Sequence, residues 1–296
     1  MRNSSGNSTV LTRTARAALA ALALAASVAL AAAAPQAQSG LGDDAVWKDF
    51  IAWFRTAPPG ANPLAAYAAK LAGEGVDEME AGRRLALIVR LFAEKPEGAE
   101  VFYDRTYSKP LTGRPEEDFP TAPSGFIADA VKGLRPGTAL DVGTGQGRNA
   151  VYLAHRGWEV TGFDISQAGL DAARANAEKV GVRIKTEKAS YDGFDFGTER
   201  WDLVVVVFAW APVSDPSFVE RIRASLRPGG LVLFEHFIDM PGRQPHAPMV
   251  RALKPGELRE HFAGFEVEFY EEADGVGEWG GPGEPLVRML DRTSRW

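Results

Sequence analysis

A glycine-rich turn that follows Asp141 is the segment of this 296-residue sequence with the clearest chemical potential. Gly143, Gly145 and Gly147 stand at alternate positions, directly before a helix predicted to begin near Arg148. Glycine lets a backbone turn tightly and approach a ligand without a Cβ in the way. The first turn of the helix adds N–H groups that have no partner within the helix. The pattern therefore predicts a site that holds a small organic ligand against the main chain.

A glycine-rich turn alone does not identify that ligand, because dinucleotide sites use one too. Three details favour S-adenosylmethionine (SAM). The third glycine stands one residue earlier than in the dinucleotide fingerprint, where this sequence has Arg148. Asp141 would repel a pyrophosphate, but it can hold the ammonium group of SAM directly or through water. Asp164, at the end of the next predicted strand, can accept hydrogen bonds from both ribose hydroxyls.

An alternation of strands and helices after residue 123 is expected to position these side chains. Strand-like runs are predicted at 138–142, 158–163, 182–188, 201–207 and 231–237, with helices at 148–156, 166–180, 215–226 and 255–262. Two final strands, 266–271 and 286–290, have no helix between them and should pair antiparallel. The sequence therefore predicts an α/β, Rossmann-like fold with a seven-stranded, mostly parallel sheet and an antiparallel last strand.

With these features, residues 126–290 resemble the class I SAM-dependent methyltransferases, and most of all the TehB-like and ubiquinone-biosynthesis-like small-molecule enzymes. The glycine motif, Asp164 and the segments 201–204 and 226–230 stand in the order and spacing of that family. The resemblance implies transfer of a methyl group from SAM to a small-molecule acceptor by in-line displacement. A non-catalytic SAM-binding module is the alternative, and an NAD-dependent oxidoreductase is disfavoured by the glycine spacing and by Asp141.

The resemblance also implies which positions contact the cofactor. Along the methionine part it places Asp141, Gly143 and Gly145, with Thr144 and Gly147 in the same turn. It places Asp164 at the ribose, Ile165 against one face of the adenine, and Ser190 and Tyr191 beside the adenine amino group. The family often has an aspartate where this sequence has Ser190, and Asp192 can substitute for it.

His236, at the end of the predicted fifth strand, is the candidate catalytic residue on the acceptor side. Methyl transfer from a sulfonium needs mainly alignment, together with a general base when the acceptor carries a proton. A structural histidine with an ordinary hydrogen bond explains the same residue, and both interpretations stay open. No metal site is predicted, and the absence of cysteine excludes thiolate ligands.

The charge of the sequence argues against nucleic acid as a partner. The first 38 residues hold three arginines and no carboxylates, so the rest carries 30 basic and 39 acidic residues. Such a surface should repel phosphates and anionic membranes. The run 208–212 also lacks the Asn/Asp-Pro-Pro-aromatic motif of many methyltransferases that act on nucleic-acid bases. A small-molecule acceptor is therefore expected, whereas nothing in the sequence indicates an oligomeric state.

Two N-terminal regions precede the predicted methyltransferase domain, which spans residues 124–296. Residues 1–38 have the arginines, the apolar run and the small residues before the cleavage site that are typical of a signal peptide. This pattern predicts export. SAM is made in the cytoplasm, so a cytoplasmic location is the alternative, and an uncleaved leader would act as an anchor. Residues 41–123 are predicted to form a helical extension, a cap and, over 101–123, an irregular linker. Three aromatic residues in that linker, Tyr103, Tyr107 and Phe119, either cover the cofactor or serve packing alone.

Overall fold

The computed structural model describes residues 41–57, 62–110, 119–239, 252–276 and 282–293. The chain divides into two compact units, Met1–Glu94 and Lys95–Trp296. The predicted leader lies outside the described residues. No helix within the described ranges is long and apolar enough to cross a membrane.

The N-terminal unit contains three described helices, α1 (Asp43–Thr56), α2 (Pro63–Gly73) and α3 (Glu78–Glu94). One apolar face of α1 is buried, and the rings of Phe50 and Phe54 stack with centroids 5.4 Å apart. The start of α2 is set locally, because the Asn62 side chain accepts hydrogen bonds from the first backbone N–H groups and Pro63 needs no partner there. The predicted helical extension is confirmed for these residues.

The C-terminal unit is built on one seven-stranded sheet with the order β3-β2-β1-β4-β5-β7-β6. Its strands are β1 (Thr138–Val142), β2 (Glu159–Asp164), β3 (Lys185–Lys188), β4 (Trp201–Val207), β5 (Leu226–Phe237), β6 (Glu266–Val276) and β7 (Pro282–Arg292). The first five strands pair parallel, and β7 runs antiparallel to both β5 and β6. The fold predicted from the sequence is therefore confirmed.

Six described helices accompany this sheet: α4 (Pro96–Ser108), α5 (Gly125–Ala130), α6 (Arg148–His155), α7 (Gln167–Lys179), α8 (Pro216–Ser225) and α9 (Glu257–His261). Helix α4 corrects the prediction of an irregular linker over 101–123. The prolines that suggested the linker all come after residue 108, and Pro96 stands at the first helical position, which favours helix formation. Helix α4 also packs against α7, a contact that the local sequence does not reveal.

Strand β5 begins earlier than predicted, at Leu226 rather than at residue 231. Gly229 and Gly230, which precede the predicted start of the strand, lie inside it, where the pairing with β4 shifts register between Trp201 and Leu203. Pairing with a neighbour decides a strand boundary in such a case, and the pattern of one segment cannot show it.

The centre of the sheet carries the core and brings the loops of interest to one edge. The four valines at 204–207 are buried without alternation, as expected for a strand covered on both faces. Because β1, β2, β4 and β5 are parallel, their carboxyl ends meet at the same edge, where open α/β folds bind ligands. The glycine turn, Asp164, the segment after β4 and His236 all lie at this edge.

Candidate cofactor site and acceptor side

The glycine turn lies between β1 and α6, and its backbone requires glycine. Gly143 and Gly145 have φ values of +67° and +51°, a region that L side chains rarely adopt. A Cβ on Gly143 would lie 2.8 Å from the Cβ of Ala209, and a Cβ on Gly145 would collide with the hydroxyl of Tyr107. Gly147 is the N-cap of α6, with φ +78°. Close approach by neighbours, as well as backbone conformation, explains these glycines.

Asp141 supports the turn from beneath. Its Oδ2 accepts a hydrogen bond of 2.7 Å from Thr144 Oγ1 and one of 3.1 Å from the Ala150 N–H in α6. The carboxylate is only 2% exposed, and burial raises its pKa to about 6. Asp141 therefore joins the turn to the start of the following helix, while Thr144, next to it, supplies the hydroxyl that holds it.

Asp164 at the end of β2 binds the same turn from the other side. Its Oδ2 accepts a 2.8 Å hydrogen bond from the Gly145 N–H, and its Oδ1 accepts one of 2.8 Å from the Ser166 N–H. The residue is 8% exposed, and burial raises the pKa of its carboxyl. Each carboxylate oxygen has a second lone pair, so both retain acceptor capacity. Ile165, partly buried, follows directly.

The residues predicted beside the adenine separate in the structure. The hydroxyl of Tyr191 donates to the carbonyl of Ala209, and it lies 3.4 Å from where a Cβ on Gly143 would be, so Tyr191 borders the glycine turn. Ser190 is used locally, because its Oγ accepts from the Gly193 N–H at 3.1 Å. Asp192, the suggested substitute, has a side chain 88% exposed and pairs with Arg221 at 3.3 Å.

Three aromatic residues of the segment predicted as a linker, 101–123, lie over the turn. The ring of Tyr107 lies 6.3 Å from that of Tyr103 and 5.3 Å from that of Phe119, measured between centroids. Gln146 in the turn donates through Nε2 to the Phe119 and Pro120 carbonyls at 3.3 and 2.9 Å. Burial and the charge of Asp164 raise the pKa of Tyr103 to about 12. The structure thus brings these residues to the glycine turn.

The segment after β4 is the strained part of the same edge. Phe208 and Trp210 have φ values of +50° and +52°, although neither is glycine. Non-glycine residues held in this region cost on the order of 1–3 kcal/mol each, and they cluster at functional sites. The Phe208 N–H donates to the Glu235 carbonyl at 2.9 Å, which helps to hold the conformation. No sequence signal marks this segment, because neither residue type favours a left-handed backbone.

His236 lies beside that segment, with its ring centroid 4.3 Å from that of Trp210 in an edge-on arrangement. The imidazole is buried, and its Nδ1 accepts a 2.7 Å hydrogen bond from the Phe237 N–H. A neutral ring that accepts at Nδ1 carries its proton on Nε2. His236 is therefore arranged to donate through Nε2, and removal of a proton at Nδ1 would require the Phe237 hydrogen bond to open.

Glu235 is a buried charge that sequence reasoning did not single out. Its Oε2 accepts from Ser124 Oγ at 2.6 Å, and its Oε1 accepts from Arg288 Nε at 3.0 Å. Ser124 caps α5 and donates its N–H to Asn149 Oδ1 in α6 at 2.9 Å. One carboxylate thus ties β5, β7 and the starts of two helices together, through contacts between residues up to 111 positions apart.

Over the ranges that the structure describes, no three His, Asp or Glu side chains are grouped so that they could hold a metal ion. The chemical groups at the carboxyl edge are instead carboxylates, phenols, one imidazole and backbone N–H groups. These groups suit an organic ligand with hydroxyls and a positive charge.

Part of this chain is similar in sequence to known proteins. The methyltransferase domain family matches residues 139–230, from β1 into β5. Hemagglutinin 1 of Eikenella corrodens is 30% identical over 157 residues, which cover 51% of this chain and 51% of that protein. The ubiquinone biosynthesis O-methyltransferase of Alkalilimnicola ehrlichii is 35% identical over 111 residues, 37% of this chain and 45% of that protein. The chain thus spans about half the length of these curated relatives or less.

The crystal structure of TehB from Haemophilus influenzae resembles the fold. It superposes with a TM-score of 0.53 and 24% identity, covering 60% of this chain and 65% of TehB. The likeness concerns the arrangement of sheet and helices. The match over residues 139–230 and the reversed β7 agree with the resemblance of the C-terminal unit to class I SAM-dependent methyltransferases, and residues 139–230 match the methyltransferase domain family.

Proposed function

We propose that the C-terminal unit binds SAM at the glycine turn and transfers its methyl group to a small-molecule acceptor by in-line displacement. The observation that carries this proposal is the position of Asp164, whose carboxylate is anchored 2.8 Å from the Gly145 N–H. The turn has no room for a Cβ at Gly143 or Gly145, and it lies next to a buried carboxylate that can accept further hydrogen bonds. This arrangement fits a cationic ligand with a ribose.

The residues around the turn divide the work of binding. Asp164 accepts the ribose hydroxyls, and Ile165 covers one face of the adenine. Asp141 and Thr144 hold the turn in shape and contribute negative potential towards the methionine ammonium. When bound, SAM supplies a methyl carbon already activated by a sulfonium. The main task of the protein is therefore to align the acceptor and to exclude water.

The acceptor side of the proposal is the strained segment with Trp210 and His236. Strain is retained where the surrounding structure fixes it, and here it brings the Trp210 ring to 4.3 Å from His236. His236 remains the candidate for handling the acceptor proton. Release of the Phe237 hydrogen bond would let Nδ1 act as the base.

Calorimetric titration of SAM into the full chain and into Asp164→Ala tests the cofactor site. The variant should lose more than about 100-fold in affinity, because two hydroxyl-to-carboxylate bonds are worth about 1.5–3 kcal/mol each. Asp171→Asn, a change at an exposed carboxylate on α7, is the matched control and should bind as the native chain does. Unchanged binding by Asp164→Ala would refute the site.

Turnover separates an enzyme from a module that only binds SAM. The chain is incubated with methyl-labelled SAM and a panel of small phenols, amines, thiols and metalloid oxyanions, and labelled products are counted. Transfer to one acceptor class, reduced in His236→Asn with a changed pH profile, supports the proposal. Tight SAM binding without transfer to any acceptor would favour the non-catalytic module. Retention on immobilised NAD but not on SAM would favour an oxidoreductase.

A further inference from the structure

Asp104 in α4 forms hydrogen bonds that reach across to a different helix. Its Oδ1 accepts from Ser166 Oγ at 2.7 Å and from the Ala168 N–H at 3.0 Å. Ser166 is the N-cap of α7, and its Oγ also accepts from the Gly169 N–H at 3.0 Å. The first N–H groups of a helix have no partner within it, and a carboxylate is favoured there by the helix dipole. Asp104 thus caps α7 from outside.

Ser166 connects this cap to the proposed ribose carboxylate. Its N–H donates to Asp164 Oδ1 at 2.8 Å, while its hydroxyl donates to Asp104. Asp164 in turn accepts from the Gly145 N–H. A continuous series of hydrogen bonds therefore runs from α4 through Ser166 and Asp164 to the glycine turn. Any change that moves α4 acts on the orientation of Asp164.

The same helix carries the tyrosines that lie on the turn. Tyr107 follows Asp104 by three residues, so both side chains lie on one face of α4. A Cβ on Gly169 would lie 2.9 Å from Cδ2 of Tyr107, and one on Gly145 would collide with its hydroxyl. The tyrosine ring thus fits against two glycines, one in the turn and one at the start of α7. The bonds of Asp104 fix the distance between α4 and both of them.

We propose that Asp104 is a positioning residue for the cofactor: it holds α4 so that Tyr103 and Tyr107 lie over the glycine turn and retard the release of SAM. The inference rests on the proposed cofactor site. A second polar contact, the Lys188–Glu100 pair at 2.7 Å, also attaches α4, but its side chains are 42% and 26% exposed. Exposed pairs of this kind contribute little, which leaves Asp104 as the main polar restraint beside the packing of α4 on α7.

The experiment measures SAM dissociation from the full chain by displacement of labelled SAM with excess unlabelled SAM. Asp104→Ala should release SAM about tenfold faster, the effect expected for losing charge-assisted hydrogen bonds. Asp104→Asn should lie between this variant and the native chain, because its amide oxygen can accept the same two bonds. Glu100→Gln is the matched control on the same helix and should change the rate less than about twofold.

A purely structural role would lower the midpoint of thermal unfolding without changing the rate of release, so both are measured. A native release rate in Asp104→Ala, or an Asp104→Asn variant that releases SAM as fast as Asp104→Ala, would overturn the inference. If Asp104→Ala weakens retention at an unchanged unfolding midpoint, the inference is supported.

Hydrogen exchange on the native chain tests the inference without any variant. The amides of α4 should exchange more slowly when SAM is bound, and equal exchange with and without SAM would overturn the inference. Asp164→Ala distinguishes failure of the proposed SAM site from failure of the proposed role of Asp104. If Asp164→Ala binds SAM normally, the cofactor site itself is wrong. If it loses SAM while Asp104→Ala retains it at the native rate, only the role of Asp104 fails.

Discussion

The proposed cofactor side, at the glycine turn, and the proposed acceptor side, at residues 208–210 and His236, are held in shape by different means. At the glycine turn, glycines adopt the left-handed backbone. Two aspartates, Asp141 in β1 and Asp164 at the end of β2, form hydrogen bonds with the residues of the turn. After β4, the unusual backbone is adopted by Phe208 and Trp210, at an energetic cost. The glycine turn adopts its backbone without strain, whereas the segment after β4 is strained and is contacted by other parts of the chain, through Phe208 N–H to the Glu235 carbonyl and Tyr191 to the Ala209 carbonyl.

The Glu235 carboxylate, next to this segment on β5, joins distant parts of the C-terminal unit and should give the largest effect. Glu235→Ala removes the acceptor of the buried Ser124 hydroxyl and leaves Arg288 with only its longer pair, 3.7 Å to Glu271, so we expect a loss of about 3 kcal/mol in the free energy of unfolding. Chemical denaturation of the full chain measures it. Glu220→Ala, at an exposed glutamate of α8, is the control and should stay within about 0.5 kcal/mol of the native value. A loss in Glu235→Ala no larger than in the control would mean that this carboxylate does not stabilise the junction of β5, β7 and the two helices.

Gly145→Ala tests the cofactor side in the same way. The alanine must adopt φ +51°, and its Cβ collides with the Tyr107 hydroxyl. SAM affinity should therefore fall by about 100-fold. The matched control is Gly181→Ala, which has φ +73° but nothing within 4 Å of the new Cβ. It carries the backbone cost without the collision. Equal SAM affinity in the two variants would show that close approach at Gly145 is unimportant.

Asp141→Asn should change how the stability of the chain depends on pH. Burial raises the pKa of Asp141 to about 6, so the folded state binds its proton more tightly than the unfolded state does. This contribution to stability is present below about pH 4 and is lost as the pH rises through about 6. The amide side chain of the variant cannot titrate. Unfolding free energies measured between pH 4 and pH 7 should therefore decline less in the variant than in the native chain, and parallel curves would contradict the assignment.

Trp210→Gly and Trp210→Ala together measure the strain on the acceptor side. Both variants remove the ring, but only glycine adopts φ +52° without cost. The free energy of unfolding should therefore be about 1 kcal/mol larger for the glycine variant than for the alanine variant, so the glycine variant is the more stable. At an unstrained position glycine is the less stable of the two, so the opposite order would show that this backbone carries no strain. Both should transfer methyl groups more slowly than the native chain while binding SAM equally well.

The sequence determined the features that depend on residue order along a short stretch. The bounds of β1 and β4, the glycine turn and the placement of Asp164 beside it could all be predicted, because periodicity, backbone freedom and strand ends are local properties. The absence of cysteine and the acidic balance also followed from composition alone. Helix α4 was mispredicted because its stability depends partly on packing against α7.

Only the tertiary structure decided which groups meet. The bonds between Glu235 and Ser124, between Asp104 and Ser166, and between Tyr191 and Ala209 join segments far apart in the chain. No pattern within one segment can reveal such pairs, because they form when the sheet places the ends of its strands side by side. The left-handed backbone at Phe208 and Trp210 likewise could not be predicted, because neither residue type prefers that conformation.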